Sequence, residues 1–262
     1  MLDLASAVVR PGPGRSDVHR ARGAGNLRLL CPRAAGNAAW IVTSTFGGGL
    51  VDGDAIALEL TVDAGATCVV TTQASTKVYK GASSQRTHVR VHGDGVALVV
   101  PDPVVPFRDA HLIQRTQVEL DPEATLVACD VLTAGRVAYG ERWSAARLDS
   151  TLELVIGGER RLHDRVLLDR AHGSIAARMA RFEALATAVL VGPRVHDLAA
   201  AQLARLARVE PNAPLVVAGS AIDGGAMFRI AGERIEQVVK ATRELLRESC
   251  SRLGEDPWAR KW

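Results

Sequence analysis

Three segments of the chain repeat one another at a fixed interval. From Leu60 the sequence reads LTVDAGATCVVTTQ, from Val89 VRVHGDGVALVVPD, and from Val118 VELDPEATLVACDV, each starting 29 residues after the last. In each, two apolar residues two apart (60/62, 89/91, 118/120) precede a four-residue turn (DAGA, HGDG, DPEA). A small-to-apolar run follows (CVV, ALV, LVA). A fixed period with strand–turn–strand in every unit predicts stacked coils, a β-solenoid or a similar layered β architecture. A meander of equal hairpins is the alternative.

The local pattern agrees. Ile56, Leu58, Leu60 and Val62 alternate with Ala57, Glu59 and Thr61, and Leu148, Ser150, Leu152, Leu154 and Ile156 alternate in the same way. Period-two alternation marks half-buried strands. The last third changes character. Strands are expected over 186–191, 215–218 and 226–230, a helix over 196–208, and an amphipathic helix over 232–252. That helix carries Ile235, Val238, Val239, Thr242, Leu245, Leu246 and Ser249 on one face, which fits a cap on the stack, with docking of a partner as the alternative. The expected fold is therefore mainly β, a solenoid or helical stack of strands with a few α-helices in the C-terminal third. One domain covers residues 1–262: a β core over about 25–170, mixed strands and helices over 171–252, and a loose tail over 253–262 holding Trp258 and Trp262.

Composition removes several function classes. With 47% hydrophobic and 23% charged residues, the chain can bury a large core and is not disordered. A net charge of +3 does not point to nucleic acid. Arg10, Arg15, Arg20, Arg22, Arg28 and Arg33 make the N-terminus basic without interleaved aromatics, which reads as a solvated arm. Cys31, Cys68, Cys129 and Cys250 form no CxxC pair, so no zinc-knuckle spacing exists. No signal-peptide pattern, P-loop, HExxH or GxSxG is present, and no apolar run approaches membrane-spanning length. The cytoplasm is the default compartment. His88 and His92 lie on a strand pattern, about 13 Å apart, too far to share a metal ion.

The polar segments are the functional candidates. If coils stack, residues 29 apart are neighbours. Thr72-Gln73, Asp102 and Asp130 then share one edge, with Lys77, Pro106 and Gly135-Arg136 nearby. One period earlier lies GGGLVDGD (47–54). Its two aspartates disfavour an anion and suit a hard or borderline cation, whereas a tight turn using glycine is the plainer explanation. Asp52, Asp54, Asp130 and Glu141 are the candidate weak metal ligands. Gln73, Lys77, Tyr79, Asp102, Phe107 and Arg136 are the candidate partner or edge surface, with Lys77 and Arg136 expected to pair with the aspartates.

GGLVDGD (48–54), TTQASTKVYK (71–80), PDPVVPF (101–107) and GRVAYGERW (135–143) resemble, in order and spacing, successive motifs of the UreD (UreH) family of urease accessory proteins. Ser75, Lys80 and Val105 depart from the usual Ala, Arg and Ile, and none of these removes a charge. The resemblance implies a β-rich protein with no catalysis of its own. Such a protein binds the urease apoprotein, joins UreF and, through UreF, recruits the GTPase UreG, so that nickel reaches the urease active site. It implies no tightly bound cofactor, only transient nickel, and no nucleic-acid or membrane partner. The absent P-loop fits a GTPase on a separate chain. The alternative is a polysaccharide-active β-solenoid enzyme using Asp102, Asp130 and Lys77 on stacked coils. Against it stand the missing secretion signal and an aromatic content of only 4%.

Overall fold

The computed structural model describes residues 4–33, 36–206, 210 and 212–259. The chain opens with β1 (Leu4–Gly12), β2 (Arg15–Arg22) and β3 (Leu27–Leu30). Three coils of three strands follow: β4 (Ala39–Thr45), β5 (Gly49–Leu50) and β6 (Ala55–Val62); β7 (Thr67–Thr72), β8 (Thr76–Val78) and β9 (Gly81–Val91); β10 (Val96–Val99), β11 (Val104–Pro106) and β12 (Ala110–Leu120). A partial fourth coil is made by β13 (Thr125–Thr133) and β14 (Arg147–Ile156), and β15 (Glu159–Asp169) returns as a hairpin. Beyond it come α1 (Ile175–Met179), β16 (Ala184–Val191), α2 (His196–Arg205), β17 (Leu215–Ile222), β18 (Gly225–Gly232) and α3 (Ile235–Arg252). The fold is thus mainly β, a solenoid, with the three α-helices of the described residues in the last third.

The repeat is visible in the pairing. Leu60 faces Val89 and Val89 faces Val118 in parallel register, and on the other side Cys68 faces Ala97, which faces Leu126. Two sheets result, in orders β15-β14-β12-β9-β6-β1-β2 and β17-β18-β16-β13-β10-β7-β4-β3, and short strands β5, β8 and β11 close the corner. At that corner the step is 28 residues, since Leu50 pairs with Val78 and Pro106 with Val78. Between β12 and β14 the step is 36, Leu112 facing Leu148. The extra length is taken up in the loop over 135–142, around a short 3₁₀ turn at Val137–Tyr139.

Alternating side chains meet between the sheets. Leu60, Val62, Cys68, Val89, Val91, Ala97, Val118, Leu126 and Leu154 fill one end of the interior, and Leu50, Val78, Val104, Leu112, Trp143 and Leu148 fill the corner end. Burial of this apolar area is the main stabilising term. Helix α3 buries Val238, Thr242, Leu245, Leu246 and Ser249, largely the face its periodicity marks. It does not cap the end of the stack. It lies on the outer face of the second sheet, with Trp40, Leu98, Val127, Phe228 and Ile230. Parallel strands covered on both faces read as continuous apolar runs, which is why Cys68-Val69-Val70 does not alternate.

Two other expectations change. The β core begins at Leu4, not near residue 25: Ala5, Ala7 and Val9 are fully buried while Arg10, Arg20, Arg22 and Arg28 point to solvent, so the arm's side chains are solvated but its backbone is sheet. The tail is docked as far as it is described. Glu255 is buried and accepts a hydrogen bond from the Ala38 amide (2.9 Å), and Trp258 packs against the second-sheet cluster. Trp262 lies outside the described residues. No helix among the described residues is long and apolar enough to cross a membrane.

Candidate functional site

Between the two apolar clusters the interior is not filled. A cavity of about 110 Å³ runs across the coils between the sheets. Thr43, Thr72, Thr76, Asp102 and Asp130 face it from the second sheet and its corner. Gln85, Gln114, Ser150 and Asp164 face it from the first, with Leu58, Val70, Val99 and Ala128 as apolar wall. The pleat explains the lining: in-register positions of successive coils present the same side, so one polar residue per coil becomes a polar row.

Hydrogen bonds tie the row together in three groups. Gln85 donates to the Gln114 carbonyl oxygen. The Gln114 amide donates to Asp130 Oδ2 at 2.7 Å, and Ser150 Oγ donates to the same oxygen at 3.1 Å. Towards the first coil, Thr72 Oγ1 donates to Asp102 Oδ2 (3.0 Å) and accepts from the Asp102 amide (2.8 Å). At the far end, Arg229 on β18 bonds Asp164 on β15 (2.5 Å) and Thr187 (2.7 Å), an ion pair that ties the two sheets together across the cavity's end. At the near end, Leu27, Thr43, Ile56, Thr72, Thr76 and Gln85 also line a second depression, which opens past Gly48 and Gln73-Ala74-Ser75. Gln73, exposed at that mouth, accepts from Ser44 Oγ at 2.7 Å.

Among the described residues no guanidinium is in bonding contact with Asp130. Burial pushes its carboxyl above the ordinary value, against the hydrogen bonds from Gln114 and Ser150, the Val131 amide and the field of Arg229. The surface that Asp130 keeps faces the cavity. An amide–carboxyl–hydroxyl row of this kind offers hard oxygen donors and a proton-sensitive group in one enclosed space.

The structure divides the sequence-derived candidates. Thr72, Asp102 and Asp130 do share the cavity. Lys77 does not. Thr76 faces inward and Val78 is buried, whereas Lys77 is exposed on the opposite side of β8 and makes no ion pair among the described residues. Asp52 and Asp54 hold turns: Asp52 accepts from the Ala82 amide (2.7 Å), and Asp54 accepts from the Val51 amide (2.8 Å) and Asn26 (2.5 Å). Glu141 lies in the inserted loop, bound bidentately by Arg136 at 2.9 and 2.6 Å. That guanidinium holds the Glu141 carboxyl below its ordinary value. Arg136 thus pairs with Glu141 rather than with an aspartate, and Lys77 pairs with no carboxylate among the described residues. Among the described residues no three His, Cys, Asp or Glu side chains gather as a metal-holding group. Tyr79 and Phe107 stand together on the outer corner, rings 4.9 Å apart and edge to face. Gln85, Gln114, Ser150 and the Arg229–Asp164 pair were not among the sequence candidates. Gln85 and Gln114 lie 29 residues apart, so the repeat itself carried the signal for them.

Comparison with known proteins accounts for the whole chain. A family model described as "UreD urease accessory protein" matches residues 2–262. The chain is 42% identical to "Urease accessory protein UreD" of Sorangium cellulosum, over 95% of this chain and 81% of that protein. It is 36% identical to the protein of the same name in Anaeromyxobacter, over 96% and 90%. To "Urease accessory protein D" of Arabidopsis thaliana it is 32% identical, over 98% of this chain and 100% of that one.

Proposed function

The chain belongs to the UreD family of urease accessory proteins, and from that premise we propose that it serves urease maturation as a non-catalytic scaffold in the cytoplasm. In this reading it binds the urease apoprotein and, with UreF and the GTPase UreG, enables nickel insertion, nickel being a transient cargo rather than a resident cofactor. The observation that carries the metal part of the reading is the polar cavity that opens beside Gln73 and reaches the Arg229–Asp164 pair. Its donors are carboxyl, amide and hydroxyl oxygens. Without thiolate or imidazole such a set holds nickel weakly, which suits passage rather than storage. The polysaccharide-enzyme alternative draws no support from the geometry, because Lys77 faces away from Asp102 and Asp130.

The test separates the cavity from the turn carboxylates. Asp130→Asn, Asp54→Asn and Glu141→Gln are made singly in a urease-activating cell, and nickel per urease is measured after purification. Asp130→Asn is expected to fold, to bind UreF and to lower nickel loading several-fold. Asp54→Asn and Glu141→Gln, whose side chains lie off the cavity, are expected to load nickel at near wild-type levels. Normal loading by Asp130→Asn removes the cavity from the metal's path.

A further inference from the structure

The far end of the cavity is spanned by an ion pair. Asp130, Thr187 and Arg229 lie on one rung of β13, β16 and β18, all on the inward side. From there Arg229 reaches across the gap between the sheets. Its guanidinium donates to Thr187 Oγ1 (2.7 Å) on its own sheet and to Asp164 Oδ1 (2.5 Å) on the other. β15, which carries Asp164, is the edge of the first sheet. On the second sheet the rung ends at Ala218 of the edge strand β17, which is exposed and has only a methyl group to set beside the guanidinium. The Arg229 and Asp164 side chains keep 29% and 16% of their surface open to water. The pair therefore stands at the boundary between cavity and solvent.

This boundary is firm but reversible. Its bonds are charge-assisted, yet one partner is a long side chain with solvent beside it. Its charge also reaches inward, since the field of Arg229 opposes the effect of burial on the Asp130 carboxyl. Arg86 borders the cavity too, but it lies between the inward Gln85 and Thr87 and is exposed on the opposite face of β9. Arg229 is thus the fixed cation that a metal ion moving past Asp130 meets. Asp164 becomes a ligand for that ion only when Arg229 releases it. A divalent cation that takes oxygen donors competes for this carboxylate with two charges against one.

We propose that the Arg229–Asp164 pair is a gate on the passage. A divalent cation arriving at Asp130 takes the Asp164 carboxylate, the guanidinium turns outward over Ala218, and the pair re-forms behind the departing ion. The proposal rests on the accessory reading of the cavity above and adds which residues control its far exit.

Equilibrium dialysis of the full-length chain against nickel is the test, with circular dichroism as the check on folding. Arg229→Gln removes the charge but keeps an amide donor for Asp164 and Thr187, and should bind nickel about tenfold more tightly than wild type. Arg229→Lys keeps the charge and should bind as wild type. Adding Asp130→Asn to Arg229→Gln should cancel the gain, which places the ion in the cavity. Asp164→Asn takes away the ligand instead of the cation and should bind nickel more weakly than wild type. It carries the test alone if Arg229→Gln does not fold. Equal binding by wild type, Arg229→Gln and Asp164→Asn overturns the gate while the passage stands. A gain as large in Arg229→Lys as in Arg229→Gln, or one that survives Asp130→Asn, overturns it as well. If Asp130→Asn alone binds nickel as wild type does and loads urease normally, the passage falls and the gate with it.

Discussion

Asp130 and Asp149 sit on consecutive strands of the last coil, one in each sheet, and both are withdrawn from bulk water, yet their surroundings push them in opposite directions. Asp149, on the outer face of β14, is 2% exposed and gripped by three arginines. Arg165 bonds both its oxygens (2.9 and 2.8 Å), Arg115 one (3.0 Å) and Arg147 the other (2.9 Å). Foremost through Arg165, these guanidiniums outweigh burial and hold the carboxyl far below its ordinary range. Asp130, facing the cavity, has amide and hydroxyl donors instead, and there burial wins. Burial alone therefore does not decide a carboxylate's charge in this fold. The choice of neighbours does: guanidiniums bond Asp149, whereas an amide and a hydroxyl bond Asp130.

The strongest way to break the contrast is to remove the Asp149 charge. Asp149→Asn keeps the shape but leaves Arg115, Arg147 and Arg165 facing one another with little between them. Removing one partner of a buried ion pair costs about 3–5 kcal/mol. These arginines are about a third or more exposed, so screening reduces the effect, and a loss of about 2–4 kcal/mol in urea unfolding is expected. A loss under about 1 kcal/mol would mean that the three arginines are held by water as well as by the aspartate.

A smaller effect is expected inside the cavity. Asp130→Leu removes the acceptor for the Gln114 amide and the Ser150 hydroxyl. Leaving such donors without partners costs about 1–3 kcal/mol, and thermal unfolding of purified protein reads it directly. If water in the cavity takes over both donors, the loss will approach zero, and the network is then wet rather than dry.

The features of this contrast that sequence alone could reach follow the repeat. A 29-residue period places Leu60, Val89 and Val118 on one face, and the same arithmetic brings Thr72 and Asp102 together. It falters where the step changes. The corner strands are two or three residues long, too short for any alternation to show, so the 28-residue step of Leu50, Val78 and Pro106 is not legible. The seven-residue insertion interrupts the period, which hides the contact of Arg136 with the Phe107 ring. Asp149 escapes for another reason. Its arginines come from β12, β14 and β15 in parallel and antiparallel pairings, and nothing local in LDST marks residue 149 as their common point. The N-terminal arm misled through composition: its arginines describe the outer face of a strand whose inner face is Ala5, Ala7 and Val9.

The subtlest separation of the two aspartates is in pH. For Asp149 the folded value lies below the unfolded one, so its contribution is present above the ordinary carboxyl value and is lost as pH falls through the folded value. For Asp130 the folded value lies above the unfolded one. At low pH it is protonated in both states and costs nothing. As pH rises from the ordinary carboxyl value through its raised folded value, the unfolded chain releases the proton first and stability declines. Asp130→Asn cannot titrate but still offers a carbonyl oxygen to Gln114 and Ser150. Wild type and Asp130→Asn should therefore unfold within about 1 kcal/mol of each other near pH 4, and the variant should gain on the wild type as pH rises to 7.5. Asp149→Asn should show the reverse, converging on the wild type only in strong acid. Urea midpoints for the three proteins at four or five pH values give the comparison. If the Asp130→Asn difference stays flat across the range, Asp130 is an ordinary carboxylate, and the cavity is better connected to solvent than its lining suggests.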